Sequence, residues 1–327
     1  MTGCEVSETQ QNAEIIFGPI PSRRLGRSLG VNNIPPKICS YSCVYCQIGL
    51  TNSMNPRRGT FFSSDRIFSE AAAKISALRR AGERIDFLSF VPDGEPTLDI
   101  NLGKTIAKLK SFGIRIAVIT NASLIRDRSV RDDLLDADWV SLKVDSVDED
   151  VWRKIDRPHG SLRLDAILDG AIQFSSVFKG TLVTETMLVR GVNDSEGLLQ
   201  RTADFIARLG PSIAYILAPT RPPAEAWVLP PDEEVLNVAY QIFSERIKNV
   251  ELLAGGEGTD FTFTTDAERE LLGILAVHPM RTEAVKDFLD KSKTSWGLIE
   301  RLMTENVIRE VSYSGHSYIM KTLNAKS

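Results

Sequence analysis

The sequence predicts an α/β fold, a partial β/α (TIM-like) barrel of about six parallel strands followed by a small C-terminal winged-helix-like domain. Apolar, β-branched runs of strand length alternate with segments of helical period, and this alternation is typical of βαβ units in a parallel sheet. A doubly wound sheet is the minor alternative, because it is built from the same units. A change of pattern after residue 264 predicts the second domain.

The predicted strands are residues 85–91, 114–120, 139–144, 181–189, 213–218 and 249–254. The earlier stretch RSLGVNNI is predicted to be a further strand that leads into a cluster of cysteines. Segments of helical spacing complete the alternation: RIFSEAAAKISALRRAG, NLGKTIAKLKSFG, SVRDDLLDA, LRLDAILDGAIQFSSVF, SEGLLQRTADFIARLG and DEEVLNVAYQIFSERI. Functional side chains should therefore collect at the carboxyl ends of the strands, which meet at one edge of the sheet.

The C-terminal part has three helical segments and then two short strands around the turn SYSGHS, which is the order of a winged helix. Nine basic and nine acidic residues between positions 265 and 327 cancel, so this part has no long-range attraction for nucleic acid. We interpret it as a domain that packs on the barrel or on a partner protein. Direct contact with nucleic acid is the less favoured alternative.

Length and composition set the remaining bounds. The 327 residues, 43% hydrophobic and 25% charged, divide into a mobile N-terminus (1–14), the barrel domain (15–263) and the winged-helix-like domain (264–327). No apolar run approaches the roughly 18 residues of a membrane span, and the start of the chain does not resemble a signal peptide. We therefore expect a cytoplasmic protein that has no membrane partner.

The cysteines are unevenly placed, with three of the four within eight residues. In KICSYSCVYCQIG, Cys39, Cys43 and Cys46 form a C-x3-C-x2-C array, and clustered cytosolic thiolates usually bind zinc or an iron-sulfur cluster. Zinc sites normally take four protein ligands, yet this segment contains no histidine, and Cys4 lies far upstream. Three cysteines leave one coordination position open for a small-molecule ligand.

This C-x3-C-x-Tyr-C pattern resembles the signature of the radical S-adenosylmethionine (SAM) superfamily. The resemblance implies that Cys39, Cys43 and Cys46 hold a 4Fe-4S cluster whose fourth iron binds S-adenosyl-L-methionine. One-electron reduction of the cluster would cleave SAM to methionine and a 5′-deoxyadenosyl radical, which abstracts hydrogen from a substrate. A one-electron donor such as flavodoxin or ferredoxin is then an expected partner.

The segments PSRRLG, CxYCQ and GEPTL together resemble a wyosine-synthetase-like subgroup of iron-sulfur oxidoreductases. This narrower resemblance implies no substrate, and we do not expect synthesis of wyosine on tRNA because the further motifs of those enzymes are missing. The superfamily resemblance covers roughly residues 15 to 255, which is the predicted barrel.

In VPDGEPTL, Gly94 and Glu95 resemble the Gly-Gly-Glu motif that binds the methionine amino group of SAM, with Asp93 in place of the first glycine. A surface turn is the alternative interpretation of this segment. Tyr45 stands where the superfamily has an aromatic side chain near adenine, although it could simply pack in the core.

VITNAS ends a predicted strand, and Thr120 and Asn121 stand where the superfamily often has a Thr-Asn-Gly segment that lines the cofactor site. Ala122 replaces that glycine. We predict that Thr120 and Asn121 bind the cofactor. Capping of the next helix by Asn121 or Ser123 is the alternative.

The strand WVSLKVD predicts a polar barrel interior without reference to any family. Side chains alternate across a strand, so Ser141, Lys143 and Asp145 share one face, and the apolar residues between them share the other. The apolar face must pack on helices, so the polar face points into the barrel, where a buried lysine needs a partner. We predict that Lys143 and Asp145 are catalytic and that Ser141 binds the cofactor. A purely structural Lys–Asp pair is the alternative.

Weaker candidates lie in the loops around the same edge. Arg23 and Arg24 precede the first strand, and Glu185 interrupts an apolar strand. Thr220 and Arg221 follow the strand at 213–218 and could contact adenine or substrate. Arg190 and Asn193, in the loop after the Glu185 strand, are candidates of the same kind, and Arg157 and His159 could sit beside the substrate, although a loop histidine is more often solvated.

With three of four cysteines assigned to one cluster, enzymes of the superfamily that need auxiliary clusters or two further catalytic cysteines are excluded. We also expect no cobalamin domain, because the fourteen residues before the predicted barrel are too few to form one. We therefore predict a single-cluster radical SAM enzyme that acts on a small molecule, a peptide or a nucleotide. The alternative is an iron-sulfur-dependent regulator acting through the winged helix, and a structural zinc protein is the least favoured interpretation.

Overall fold

The computed structural model describes residues 15–91, 93–253, 266–313 and 315–322. The predicted mobile N-terminus and the predicted domain boundary near residue 264 both lie outside these ranges.

One eight-stranded sheet in the order β1-β2-β5-β6-β7-β8-β9-β10 forms the centre of the structure. Every neighbouring pair from β2 to β10 is parallel, whereas β1 pairs with β2 in antiparallel orientation. The strands are β1 (Ile16–Ser22), β2 (Gly26–Val31), β5 (Phe87–Phe90), β6 (Arg115–Thr120), β7 (Trp139–Lys143), β8 (Thr181–Met187), β9 (Ile213–Leu217) and β10 (Val250–Leu253). Two further short strands, β3 (Ile38–Cys39) and β4 (Ser53–Met54), pair with each other in the cysteine region.

Helices connect successive parallel strands: α1 (Ser64–Arg80), α2 (Leu102–Leu109), α3 (Arg128–Leu134), α4 (Glu149–Ile155), α5 (Leu164–Val177), α6 (Glu196–Leu209) and α7 (Glu233–Ser244). All six predicted helical segments of the barrel are present. Helix α4 was not predicted, because only Trp152 and Ile155 of its seven residues are buried and so short a stripe gives no periodic signal. Strand β1 was not predicted either, because its glycine and two prolines are typical of a turn.

The two faces of the sheet differ, as the alternation in β7 predicts. On the outer face Val140 and Leu142 are fully buried in the main core with residues of the surrounding helices. On the inner face Trp139 belongs to a second apolar cluster inside the barrel, and Ser141 and Lys143 follow it toward the carboxyl end. The barrel interior is thus apolar where the strands begin and polar where they end.

The C-terminal part contains α8 (Ala267–Val277), α9 (Thr282–Lys291) and α10 (Gly297–Thr304), with a sheet of order β11-β13-β12. Its strands are antiparallel: β11 (Met280–Arg281), β12 (Ile308–Tyr313) and β13 (His316–Lys321). The predicted two strands are present, and the two-residue β11 is an addition that was too short to predict. This part has its own hydrophobic cluster around Phe288, into which Ile20 of β1 also packs.

Among the described residues, the helices are all too short or too polar to cross a membrane.

Candidate active site

A cavity of about 300 Å³ opens at the carboxyl ends of the parallel strands. Its wall is formed by the cysteine segment 37–51, the loops after β5, β6 and β9, and side chains from β7 and β8. It also includes the turn between β1 and β2. The site therefore lies where the parallel sheet predicts it.

The three cysteines of the array line this cavity together. Turn-like hydrogen bonds shape their loop, from Cys46 N to Cys43 O (3.1 Å) and from Gly49 N to Cys46 O (3.0 Å). No group of three or more His, Cys, Asp or Glu side chains among the described residues has the spacing of a single-ion site. In a four-iron cluster each thiolate binds a different iron atom, so the three sulfurs stand further apart.

Burial raises the pKa of all three thiols, that of Cys39 to about 12 with a further contribution from the nearby Glu95 carboxylate. Free thiolates are thus disfavoured here. A cluster would offset that cost because its iron binds the deprotonated sulfur. The donor set, three soft sulfur ligands on one wall of a cavity, fits a 4Fe-4S cluster with an open position.

Glu95 is the most densely hydrogen-bonded carboxylate of the cavity, and its residue is only 1% exposed. Oε1 accepts bonds from Thr97 N (3.0 Å), Thr97 Oγ1 (2.5 Å) and Thr120 Oγ1 (2.6 Å). Oε2 accepts one bond, from Asn121 N at 2.7 Å. Burial raises the pKa of Glu95, while these donors act in the opposite direction. Because a carboxylate oxygen can accept about two bonds, Oε2 can accept one more donor.

The segment that carries Glu95 is joined directly to the cysteine strand. Glu95 N donates to Ile38 O (3.2 Å), and Lys37 N donates to Asp93 O (2.7 Å). Asn121 Nδ2 lies 3.5 Å from Cys39 Sγ, so the loop after β6 reaches the same strand. Gly94, Glu95, Thr120 and Asn121, all predicted cofactor-binding residues, are therefore brought to the cavity next to the cysteines.

Gly94 is required by close backbone approach, since a Cβ atom there would overlap the carbonyl group of Ile38. We expect Gly94→Ala to push this segment away from β3 and to reduce reconstituted iron content to less than about half of the parent value. Gly160→Ala is the matched control, because nothing lies within 4 Å of a Cβ at that position. Iron analysis after reconstitution is the measurement. Parental iron content in the Gly94 variant would refute the close-approach argument.

A charged network crosses the polar face inside the barrel. Glu185 of β8, 3% exposed, forms an ion pair with Arg24 and accepts a hydrogen bond from Ser141 Oγ at 2.8 Å. Lys143 Nζ lies 3.9 Å from Glu185 Oε2 and 5.0 Å from the centre of the Tyr45 ring. Burial lowers the pKa of Lys143, but the carboxylates of Asp145 and Glu185 raise it and the net shift is upward, so the amine is charged at neutral pH.

Two predicted residues lie behind the cavity wall. Ser141 contacts Glu185, and Asp145 accepts hydrogen bonds from Tyr45 Oη and from Met187 N (2.7 Å). Neither of the two belongs to the cavity lining, whereas Tyr45 and Lys143 do. In this structure Asp145 orients Tyr45 and is not on the cavity surface itself. Its catalytic role stays a prediction.

A buried acid that sequence analysis did not identify, Asp156, lies beside Tyr45 and Cys43. Tyr45 Oη lies 3.2 Å from Asp156 Oδ1, and Cys43 Sγ donates to the same oxygen (3.3 Å). Burial and the nearby Asp145 carboxylate raise the pKa of Asp156 well above its usual value. Asp156 follows α4, which was itself not predicted, so no sequence signal connected it to Cys43.

The weaker candidates divide into two groups. Arg23, Arg24, Glu185, Thr220 and Arg221 line the cavity. The other four do not line it. Arg157 and Arg190 form ion pairs with Glu225 and Asp232, respectively. His159 is hydrogen-bonded to Ser161, and Asn193 donates hydrogen bonds to the carbonyl groups of Asp145 and Met187. Lys37 also lines the cavity, and sequence analysis did not identify it. Its position two residues before Cys39 could have indicated that it lies near the site.

Comparison with known proteins agrees with this site. The Radical SAM superfamily model matches residues 33–203, which include the cysteine array and the Glu95, Asn121 and Lys143 positions. The chain therefore belongs to the radical SAM superfamily. It is a radical SAM enzyme, with a 4Fe-4S cluster and SAM as its cofactors. The family does not specify a substrate.

Among individual proteins, the chain is 46% identical over 314 residues to a UPF0026 protein of Methanocaldococcus jannaschii, covering 95% of this chain and 97% of that one. A UPF0026 protein of Helicobacter pylori is 34% identical over 203 residues, covering 61% of this chain and 64% of that one.

Solved structures show the same fold. A radical SAM methyltransferase from Sphaerobacter thermophilus has a TM-score of 0.53 and 17% identity, with 69% of this chain and 66% of that one covered. The structure of TYW1 with a lysine-pyruvate adduct bound has a TM-score of 0.51 and 16% identity, with 68% and 74% covered. Both likenesses concern the α/β fold with its largely parallel sheet.

Proposed function

We propose that this protein uses its 4Fe-4S cluster and SAM to abstract hydrogen from a substrate that binds inside the barrel, next to Lys143. The observation that carries the proposal is the convergence of Cys39, Cys43, Cys46 and the Glu95 segment on one cavity. When bound, the reduced cluster supplies an electron that cleaves SAM and yields the 5′-deoxyadenosyl radical.

The residues of the chain have separate tasks in this proposal. Cys39, Cys43 and Cys46 hold the cluster and leave one position open. Glu95 accepts the SAM amino group at Oε2, because Thr97 and Thr120 already occupy Oε1. Fixed by these bonds before SAM arrives, Glu95 needs no reorganisation on binding.

Lys143 supports the substrate side of the proposal. Its amine lies beyond hydrogen-bond distance of Glu185, and it lines the cavity, so its N–H groups can donate to a substrate oxygen. Arg24 lies on the same side and shares Glu185. Two cations around one buried carboxylate favour a substrate that carries a carboxylate or phosphate near the reacting carbon.

Substrate discovery is the experiment that tests this function. Reduced protein is incubated anaerobically with SAM and fractions of cell extract, and 5′-deoxyadenosine is measured. We expect one fraction to stimulate its formation at least about tenfold. Lys143→Met should lose this stimulation, because it removes the cation that would contact the substrate in the cavity.

Cys43→Ala should form no 5′-deoxyadenosine in any fraction, and it serves as the background control. A Lys143→Met variant stimulated as strongly as the parent protein would contradict the role of Lys143. If no fraction stimulates the parent, the assignment of an extractable substrate is wrong.

We further propose that the chain has two domains, residues 15–263 and 264–327, of which the second resembles a winged helix. We also propose that it belongs to the wyosine-synthetase-like subgroup. The separate hydrophobic cluster around Phe288 and the antiparallel C-terminal sheet support the two domains. The TYW1 likeness supports a shared fold alone and carries no substrate to this chain. A cytoplasmic location and flavodoxin or ferredoxin as electron donor complete the proposal.

A further inference from the structure

The C-terminal module, defined here as the described residues from 266 to 322, contacts the wall of the active-site cavity. The contact falls on residues 218–221, which follow β9 and line the cavity; we call them the cavity loop. Tyr313 Oη donates to Pro219 O (3.2 Å), and Tyr318 Oη donates to Thr220 O (2.6 Å). Two consecutive carbonyl groups of the cavity loop are therefore held by one β-hairpin.

Arg221 extends this contact to the cysteine loop. Its Nη2 lies 3.2 Å from His278 Nε2, and its Nη1 donates to Gln47 Oε1 at 2.5 Å. Gln47 follows Cys46 directly in the sequence, and both residues line the cavity. A chain of polar contacts thus runs from the module through Arg221 to the residue next to a cluster ligand.

The module is anchored elsewhere by contacts that do not involve the cavity. Ile20 of β1 packs into the hydrophobic cluster around Phe288. Lys74 of α1 forms an ion pair with Glu270 of α8 at 2.9 Å, and Glu270 is 5% exposed. Because these anchors are independent, the contacts to the cavity loop can be removed without detaching the module.

The chemistry of the contact argues for positioning. The cavity loop precedes two prolines, Pro222 and Pro223, whose nitrogen atoms cannot donate hydrogen bonds. Its carbonyl groups therefore take partners from outside the loop, and the tyrosine hydroxyls of β12 and β13 fix where those carbonyls point. The Arg221 side chain is fixed from two sides in the same way.

We propose that Tyr313, Tyr318 and His278 are positioning residues of the radical SAM site, which hold the cavity loop and Arg221 in the conformation that binds SAM. SAM is a cofactor of the superfamily to which the chain belongs. The proposal rests on the proposed function in one respect, which is that SAM binds in this cavity. The C-terminal module then acts in cis on the active site, as a part of its wall.

The test uses the full-length, anaerobically reconstituted protein. The double variant Tyr313→Phe/Tyr318→Phe removes only two hydroxyl groups, and Tyr240→Phe is the control because Tyr240 is 40% exposed on α7. SAM affinity is measured by equilibrium dialysis without reductant. We expect the dissociation constant to rise about three- to tenfold in the double variant and to stay unchanged in the control.

A second readout is independent of SAM. The amides of Gly49 and Glu225 are hydrogen-bonded to the cysteine segment, at Cys46 O and Val44 O, and they report on the elements that the cavity loop joins. Hydrogen exchange without SAM should be about three- to tenfold faster at these amides in the double variant. This exchange can be measured even if the parent protein fails to bind SAM. A failure of the proposed function can therefore be distinguished from a failure of the positioning proposal.

His278 supplies the conservative rescue. His278→Gln keeps an acceptor for Arg221 and should bind SAM within about twofold of the parent, whereas His278→Leu should weaken binding like the double tyrosine variant. Unchanged SAM affinity and unchanged exchange in the double variant would overturn the proposal. Equal loss of iron and thermal stability in His278→Gln and His278→Leu would also overturn it, because that pattern indicates a structural role alone.

Discussion

Replacing Cys43 by alanine is expected to reduce bound iron from about four atoms per chain to less than about one and to abolish 5′-deoxyadenosine formation. The three cysteines line one cavity wall. In the variant only two of them remain, so the cluster loses one ligand. No described neighbour replaces it, because Asp156, beside Cys43, is a buried acid with a raised pKa. Iron and sulfide analysis after anaerobic reconstitution is the measurement.

Cys4→Ala is the matched control for this prediction. It removes a cysteine outside the C-x3-C-x2-C array, so iron content and SAM cleavage should equal those of the parent. A Cys43 variant that cleaves SAM as fast as the parent would show that the cluster is assigned to the wrong residues.

Replacing Glu95 by alanine has the second large expected effect. The change leaves four hydrogen-bond donors of Thr97, Thr120 and Asn121 without their acceptor in a buried site. Each unsatisfied donor costs about 1 kcal/mol or more, so we expect the free energy of unfolding to fall by about 3 to 5 kcal/mol. Urea denaturation of the metal-free protein measures this loss.

Glu95→Gln separates stability from cofactor binding. Glutamine keeps the Oε1 acceptor and the shape, so stability should fall by only about 1 to 2 kcal/mol, while SAM binding weakens at least about tenfold through loss of the negative charge. Glu245→Ala on the surface, where the carboxylate pairs with Arg246, should cost less than about 1 kcal/mol. Parental SAM affinity in Glu95→Gln would contradict the assignment of the SAM amino group to Glu95.

Periodicity predicted the parallel part of the fold because strands such as β5 and β6 are largely apolar runs that become buried in the folded chain. Strand β1 differs, since Gly18 and two prolines conceal it, and it is stabilised by pairing with β2 and by Ile20 packing under the C-terminal module. Those contacts form only in the folded chain, so no local pattern of β1 could indicate them.

The site was predicted to the extent that it depends on short motifs. The cysteine array, Glu95, Thr120 and Asn121 lie within contiguous segments, and alternation in β7 predicted that Lys143 faces the barrel interior. The partners of these residues were not predicted, because Arg24 meets Glu185 across 161 positions of sequence and Tyr45 meets Asp156 across 111. Asp145, expected on the cavity surface, instead turns behind Tyr45 because β7 ends at Lys143.

The central claim is that these residues form a radical SAM site, and reductive cleavage of SAM tests it most directly. Anaerobically reconstituted and reduced protein, given SAM and no substrate, should slowly release 5′-deoxyadenosine and methionine in equal amounts, in proportion to its cluster content. Protein that carries stoichiometric zinc, lacks the visible absorption of a cluster and releases neither product would contradict the claim.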